Sequence, residues 1–281
     1  MPTHDTLISA SRLQALMTAK APLVLLDCSF ELADADAGER AYAAGHLPGA
    51  LHVHLDRELS GAKTGRNGRH PLPERDALAE RAGAWGIAPG VQVVCYDAQG
   101  MPYAARAWWL LRWLGHRPVA VLDGGVAAWQ AAGGSLTRAL PPVRRQPRYP
   151  AQPPAMPTLD AAGLLAQLGR RGVLDARAAD RFRGDVEPLD AVAGHIPGAL
   201  NRFFKDNLQP DGRFRPAEAL RAEFAALHVA PAQLVHQCGS GVTACHNLLA
   251  MEHAGLAGSA LYPGSWSEWC ADAARPVARG A

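Results

Sequence analysis

Of the five cysteines, Cys28, Cys95, Cys238, Cys245 and Cys270, one stands in surroundings suited to a nucleophile. Cys238 follows the apolar run Leu234-Val235 and opens the segment Gly239-Ser240-Gly241-Val242-Thr243, ahead of a helical pattern over 242–254 closed by Gly255. That order reads as a strand, a tight turn and a helix. Two glycines let the backbone curl. Successive N–H groups can then face inward as an anion-binding nest, reinforced by the helix N-terminus. A thiol in such a cradle is expected to have a depressed pKa, to be open to solvent, and to react as the thiolate. A cysteine phosphatase would need Cys-x5-Arg to grip its phosphate, and the sixth residue after Cys238 is Ala244. The odd cysteine count and the lack of matched Cys-x-x-Cys pairs argue against a zinc cage or a disulfide framework. The other cysteines read as small buried residues.

The elements that must position Cys238 occur twice. Leu23-Val24-Leu25-Leu26-Asp27 is matched by Gly172-Val173-Leu174-Asp175, and Gly45-His46-Leu47-Pro48-Gly49-Ala50 by Gly194-His195-Ile196-Pro197-Gly198-Ala199. Val91–Asp97 is matched by Leu234–Cys238, and Asp123-Gly124-Gly125-Val126-Ala127-Ala128-Trp129 by Pro263-Gly264-Ser265-Trp266-Ser267-Glu268-Trp269. Four matches in one order imply two copies of one fold. Asp97 stands in the first copy where Cys238 stands in the second, and a carboxylate cannot replace a thiolate nucleophile, so the first copy is expected to be an inactive scaffold. Cys95 lies within the preceding strand. His46 and His195 recur in both copies, with and without the thiol, which predicts a turn-locking role.

Apolar β-rich runs alternate with helical patterns, such as residues 104–114 after Pro102, which predicts a parallel α/β sheet in each copy. Sites in such sheets lie beyond the carboxyl ends of the strands. The proline-rich stretch 141–157 reads as a semi-rigid linker, giving domains over 1–140 and 158–281. Trp108, Trp109 and Trp113 read as core and domain-interface packing, and Trp266 and Trp269 as pocket wall or core. The 281 residues are 48% apolar and 19% charged with net charge +2, which excludes a disordered polyelectrolyte and calls for neither nucleic acid nor a membrane as partner. No secretory signal or spanning segment is visible, so a cytoplasmic protein is expected.

Cys238-Gly239-Ser240-Gly241-Val242-Thr243-Ala244-Cys245-His246 resembles the active-site loop of the 3-mercaptopyruvate branch of the rhodanese superfamily. The duplicated Gly-His-x-Pro-Gly-Ala turns and the Gly-Ser-Trp-Ser-Glu-Trp segment share the resemblance, which covers nearly the whole chain. It implies two tandem rhodanese-like domains, each a mostly parallel sheet flanked by helices, with only the second active. It also implies a sulfurtransferase carrying sulfur as a persulfide on Cys238, without metal or organic cofactor. The loop residues Gly239, Gly241, Val242 and Thr243 are expected to hold the transferred sulfur.

The resemblance places Arg181, and with less support Arg183, at the anionic end of the donor; a guanidinium grips a carboxylate through two parallel hydrogen bonds. It also implies a relay of Asp56, His70 and Ser240 that protonates the departing enolate. The expected partners are a small anionic sulfur donor and an acceptor such as a small thiol, thioredoxin or cyanide. Two features pull apart on the donor. Neutral Gly239 and Ser240 favour mercaptopyruvate over thiosulfate, whereas Leu189 stands after Glu187-Pro188 where that branch carries a second substrate arginine. A thiosulfate:cyanide sulfurtransferase, or a carrier handing persulfide to a partner protein, are the alternatives.

Overall fold

The apolar runs of the two repeats become the inner strands of two parallel sheets. The computed structural model describes residues 3–142 and 145–280. Its chain divides into two compact units: Met1–Gly61 with Pro73–Ala155 and Pro210–Phe214, and Ala62–Leu72 with Met156–Gln209 and Arg215–Ala281.

In the first unit the order is β1 (Leu7–Ile8), α1 (Ala10–Thr18), β2 (Leu23–Asp27), α2 (Ala37–Ala44), β3 (Ala50–His52), α3 (Arg75–Ala84), β4 (Gln92–Tyr96), α4 (Pro102–Trp113), β5 (Val119–Leu122) and α5 (Gly125–Ala131). The strands pair in parallel in the order β1-β5-β4-β2-β3. β4 and β5 are buried along their whole length, which explains their continuous apolar character: helices cover both faces of a parallel sheet. α4 begins with Pro102, whose missing N–H costs nothing at a first helical position, and is buried from Ala104 to Leu111.

The second unit contains α6 (Ala161–Ala166), β6 (Gly172–Asp175), α7 (Ala179–Arg183), β7 (Leu200–Asn201), a 3-10 turn at Phe204–Asn207, α8 (Ala217–Ala225), β8 (Leu234–Gln237), α9 (Thr243–His253), β9 (Ala260–Leu261) and α10 (Ser265–Trp269). Its strands are parallel in the order β7-β6-β8-β9. A parallel bridge from Thr158 to Leu261 continues this sheet just as β1 continues the first. The repeated histidines are also equivalent. His46 Nδ1 lies 2.8 Å from the Tyr42 carbonyl with its ring stacked on Tyr42, and His195 Nδ1 lies 2.8 Å from the Phe182 carbonyl with its ring stacked on Phe182. Each ties a helix end to the turn that follows.

Two expectations need correction. The boundary between the repeats is not a single cut, because 62–72 packs in the second unit and 210–214 in the first. The stretch 141–157, read as a semi-rigid linker, does not stand apart from the units. The Gln146 amide donates to Gly83 and the Gln152 amide to Leu114, carbonyls at the ends of α3 and α4 that lack partners within their helices. Tyr149 is buried against His116. The stretch therefore stays with the first unit as far as Ala155; Val143 and Arg144 lie outside the described residues. Of the two readings for Trp266 and Trp269, core holds: both are fully buried, their indole N–H groups donating to Val192 and Pro276 carbonyls. Trp108 and Trp109 are equally buried, and Trp113 is half-buried and stacked on Trp109. Among the described residues no helix is long and apolar enough to cross a membrane.

Candidate active site

Cys238 leaves β8 at its carboxyl end, beside the end of β6, and the chain turns through Val242 into α9. The turn brings backbone amides onto the sulfur. The Gly241 N–H donates to Sγ at 3.1 Å and the Ser240 N–H reaches it at 3.5 Å. Gly241 adopts φ +77°, and a methyl group there would meet the Pro263 carbonyl oxygen at 2.3 Å. Only glycine takes that backbone conformation at so close an approach without strain. The start of α10 clamps the loop from the other side. Ser265 Oγ accepts from the Cys238 amide, while the Trp266 and Ser267 amides donate to the carbonyls of Cys238 and Gly239. Val242 caps α9 and is buried, and Thr243 is its first residue. The expected openness to solvent is not found: Cys238 is 2% exposed. The α10 clamp covers the loop, and the Ser240 and Gly241 N–H groups face the buried sulfur.

Segment 62–72 brings the histidine to this loop. Gly68, at φ +85°, lies so near Gly264 that a methyl group would sit 2.7 Å from its carbonyl oxygen. The next amide, of Arg69, donates to Ser267 Oγ. His70 is then buried with Nδ1 2.8 Å from Ser240 Oγ. Ser240 and His70 are thus brought together as expected. Asp56 belongs to the first unit, where its amide donates to His54 Nδ1.

Arg181 is held over the loop. Its Nη2 donates to Glu187 Oε1 at 2.6 Å and reaches Asp190 Oδ2 at 3.4 Å. A methyl group at Gly239 would lie 3.6 and 3.7 Å from its two Nη atoms. Arg183 does not join it: on the far side of a five-residue helix, it turns outward to an exposed pair with Asp185. Leu189 is also exposed. Four residues of this site carried no prediction. Arg177 is buried, donates twice to Asp175, and lies over the Trp266 ring at 4.8 Å. Burial works against its charge, but Asp175, Glu187 and Cys238 raise its pKa above the ordinary arginine value. Glu187 and Asp190 orient Arg181. Arg69 donates from Nη1 to Asp190 Oδ1 at 2.7 Å. The available signal for Arg69 was its place next to His70.

The equivalent loop of the first unit shows what such a turn prefers to hold. Asp97 Oδ1 accepts from the amides of Gln99 and Met101, and Oδ2 from those of Tyr103 and Ala104. Burial pushes its pKa up to about 6, and the four N–H groups oppose this. The first copy therefore fills its own anion cradle. Asp97→Asn should destabilise the protein by about 3 kcal/mol. The amide can still accept from two donors but must turn its NH2 toward the other two, each costing roughly 1–3 kcal/mol when left unmet. A urea midpoint within experimental scatter of wild type would show that the carboxylate does not hold this turn.

Two parallel α/β units, one with a cysteine in a strand-to-helix anion cradle, define the rhodanese class, and the chain belongs to the rhodanese-like domain family, which matches residues 9–132 and 160–272. It is 51% identical over 98% of each chain to the Pseudomonas aeruginosa protein named "Probable 3-mercaptopyruvate sulfurtransferase". To thiosulfate sulfurtransferase of Gallus gallus it is 33% identical over 89% of this chain and 86% of that one. Among solved structures, 3-mercaptopyruvate sulfurtransferase from Leishmania major superposes with a TM-score of 0.84 at 31% identity, covering 96% of this chain and 75% of that one. The chain is an enzyme of the sulfurtransferase class.

Proposed function

We propose that the enzyme takes sulfur from 3-mercaptopyruvate onto Cys238 and passes it to a thiol, with cyanide as a substitute acceptor. One observation carries this reading: two backbone N–H groups converge on Cys238 Sγ in a turn flanked by guanidinium groups. In the first half-reaction the Cys238 thiolate attacks the donor sulfur. A sulfur–sulfur bond forms, and the donor's carbon–sulfur bond breaks with its electron pair passing to carbon. The resulting enolate takes a proton through Ser240, whose hydroxyl is polarised by His70, and leaves as pyruvate. The role of Asp56 in this relay rests on the resemblance. Arg181 binds the donor carboxylate, and the amides of the loop hold the persulfide's charge as oxyanion-hole donors would. In the second half-reaction an acceptor thiolate attacks the outer sulfur and the Cys238 thiolate departs. Small thiols and reduced thioredoxin are suitable acceptors, and a reducing cytoplasm would keep the five free thiols usable.

Incubation with mercaptopyruvate alone should add one sulfur atom to the intact mass of wild type and none to Cys238→Ser. Sulfur retained by the variant on another cysteine would refute the assignment. The convergence of arginines at Gly239 also suits a dianion, so thiosulfate is the second reading. Steady-state rates with the two donors at matched acceptor decide between them.

A further inference from the structure

We propose that a cleft at the amino end of the second sheet, away from Cys238, is an oxyanion site that takes a doubly charged anion of the phosphate type. The cleft encloses about 420 Å³ and is lined by Arg170, Arg171 and His228 beside Pro197, Gly198 and Val229. No aspartate or glutamate lines it. It lies where β6 and β8 begin, whereas Cys238 follows the last residue of β8. The site is therefore separate from the catalytic loop.

The cations of this cleft lack the counter-charge that their neighbours have. Arg69, Arg177, Arg181, Arg202 and Arg215 of the same unit each hold a carboxylate. Arg170 and Arg171 make no ion pair and no side-chain hydrogen bond among the described residues. Two adjacent positive charges repel, and an anion held between them relieves the repulsion. Their backbone is fixed, because both amides donate to the Gln167 carbonyl in the turn that ends α6. His228 stands at φ +52°, a left-handed conformation that strains a residue with a side chain. The left-handed position after α3 in the first unit is taken by Gly86.

The first unit supplies an internal comparison. It has a cleft at the same end of its own sheet, lined by Pro22, Leu23 and Trp85, with Lys20 as its one cation among the described residues. The crevice thus comes with the fold, and the acid-free basic lining comes with the second unit. Two guanidinium forks and an imidazole offer more donors than one carboxylate uses, which favours a doubly charged oxyanion. Gly198 leaves room for it: nothing lies within 4 Å of its Cβ position.

The test is calorimetric titration of the full chain with inorganic phosphate at constant ionic strength. Wild type should bind phosphate saturably. Arg170→Gln and Arg171→Gln should each weaken binding at least about tenfold, the size of one charged hydrogen bond lost. Single-turnover persulfide formation in both should stay within about twofold of wild type, as for distant sites. Arg183→Gln, at an exposed arginine outside the cleft, should bind phosphate as wild type does. Acetate, with one charge fewer, should bind about tenfold more weakly than phosphate. No saturable phosphate binding, or binding undiminished in both cleft variants, would overturn the site. Binding lost in Arg181→Gln but kept in the cleft variants would place the anion at the catalytic loop and overturn it equally. Acetate bound as tightly as phosphate would overturn the anion class.

Discussion

Cys238→Ser should fold normally and transfer sulfur at least about 10⁴-fold more slowly than wild type, the scale of loss when a nucleophile is removed. The substitution changes one atom of similar size. The Gly241 and Ser240 amides keep an acceptor, so thermal stability should change by less than about 1 kcal/mol. Reactivity does not survive, because an alcohol oxygen does not act as the sulfur nucleophile that a thiolate is. Cys28, Cys95 and Cys245 are fully buried. Burial pushes the Cys28 thiol well up, with Cys95 beside it, and burial likewise raises the half-buried Cys270 thiol, so these sulfurs resist ionisation. Single-turnover measurement with excess donor is the check. A variant retaining a tenth of the wild-type rate would move the chemistry to another residue.

The second large effect is expected from Gly241→Ala, which should lower kcat/KM by about 10²–10³. The Gly241 amide is the nearer of the two donors to Sγ, at 3.1 Å. An added Cβ would run into the Pro263 carbonyl oxygen at 2.3 Å, a backbone atom that cannot swing aside. Relief comes only if the 239–241 turn moves, and then its amides no longer converge on the sulfur. Gly198→Ala is the matched control. It carries nearly the same φ, +76°, but nothing lies within 4 Å of its Cβ position. Both variants should pay about 1–2 kcal/mol for a side chain in the left-handed region, yet only Gly241→Ala should lose activity. Comparable activity in the two variants would show that the clash, and with it the tightness of the cradle, is unimportant.

Much of this enzyme is readable without coordinates. Alternation of apolar runs with helical patterns, repeated in order, suffices for two parallel sheets, because a strand covered by helices on both faces must be apolar throughout. The Cys238 loop is equally legible. Nucleophile, glycines and helix start are contiguous, so local backbone geometry determines which way the amides point. Asp97 in place of the cysteine marks the first copy as the one without the thiol, and its carboxylate is seated on the four amides of the equivalent turn.

What local pattern could not decide is everything that depends on segments meeting from a distance. Proline content alone made 141–157 read as a semi-rigid linker, but its non-proline amides find carbonyls at the ends of α3 and α4. Arg183 and Arg181 are neighbours in sequence, and only the direction of a short helix sends one to solvent and the other to the loop. Segment 62–72 carries no hydrophobic pattern that would assign it to either repeat. It packs in the second unit through a glycine-to-glycine approach, a serine hydroxyl and an ion pair. Cys238 and the amides facing its sulfur were set by the order of residues along one turn. The histidine and the second arginine beside it were set by tertiary contacts, whose partners lie far away along the chain and leave no periodic trace.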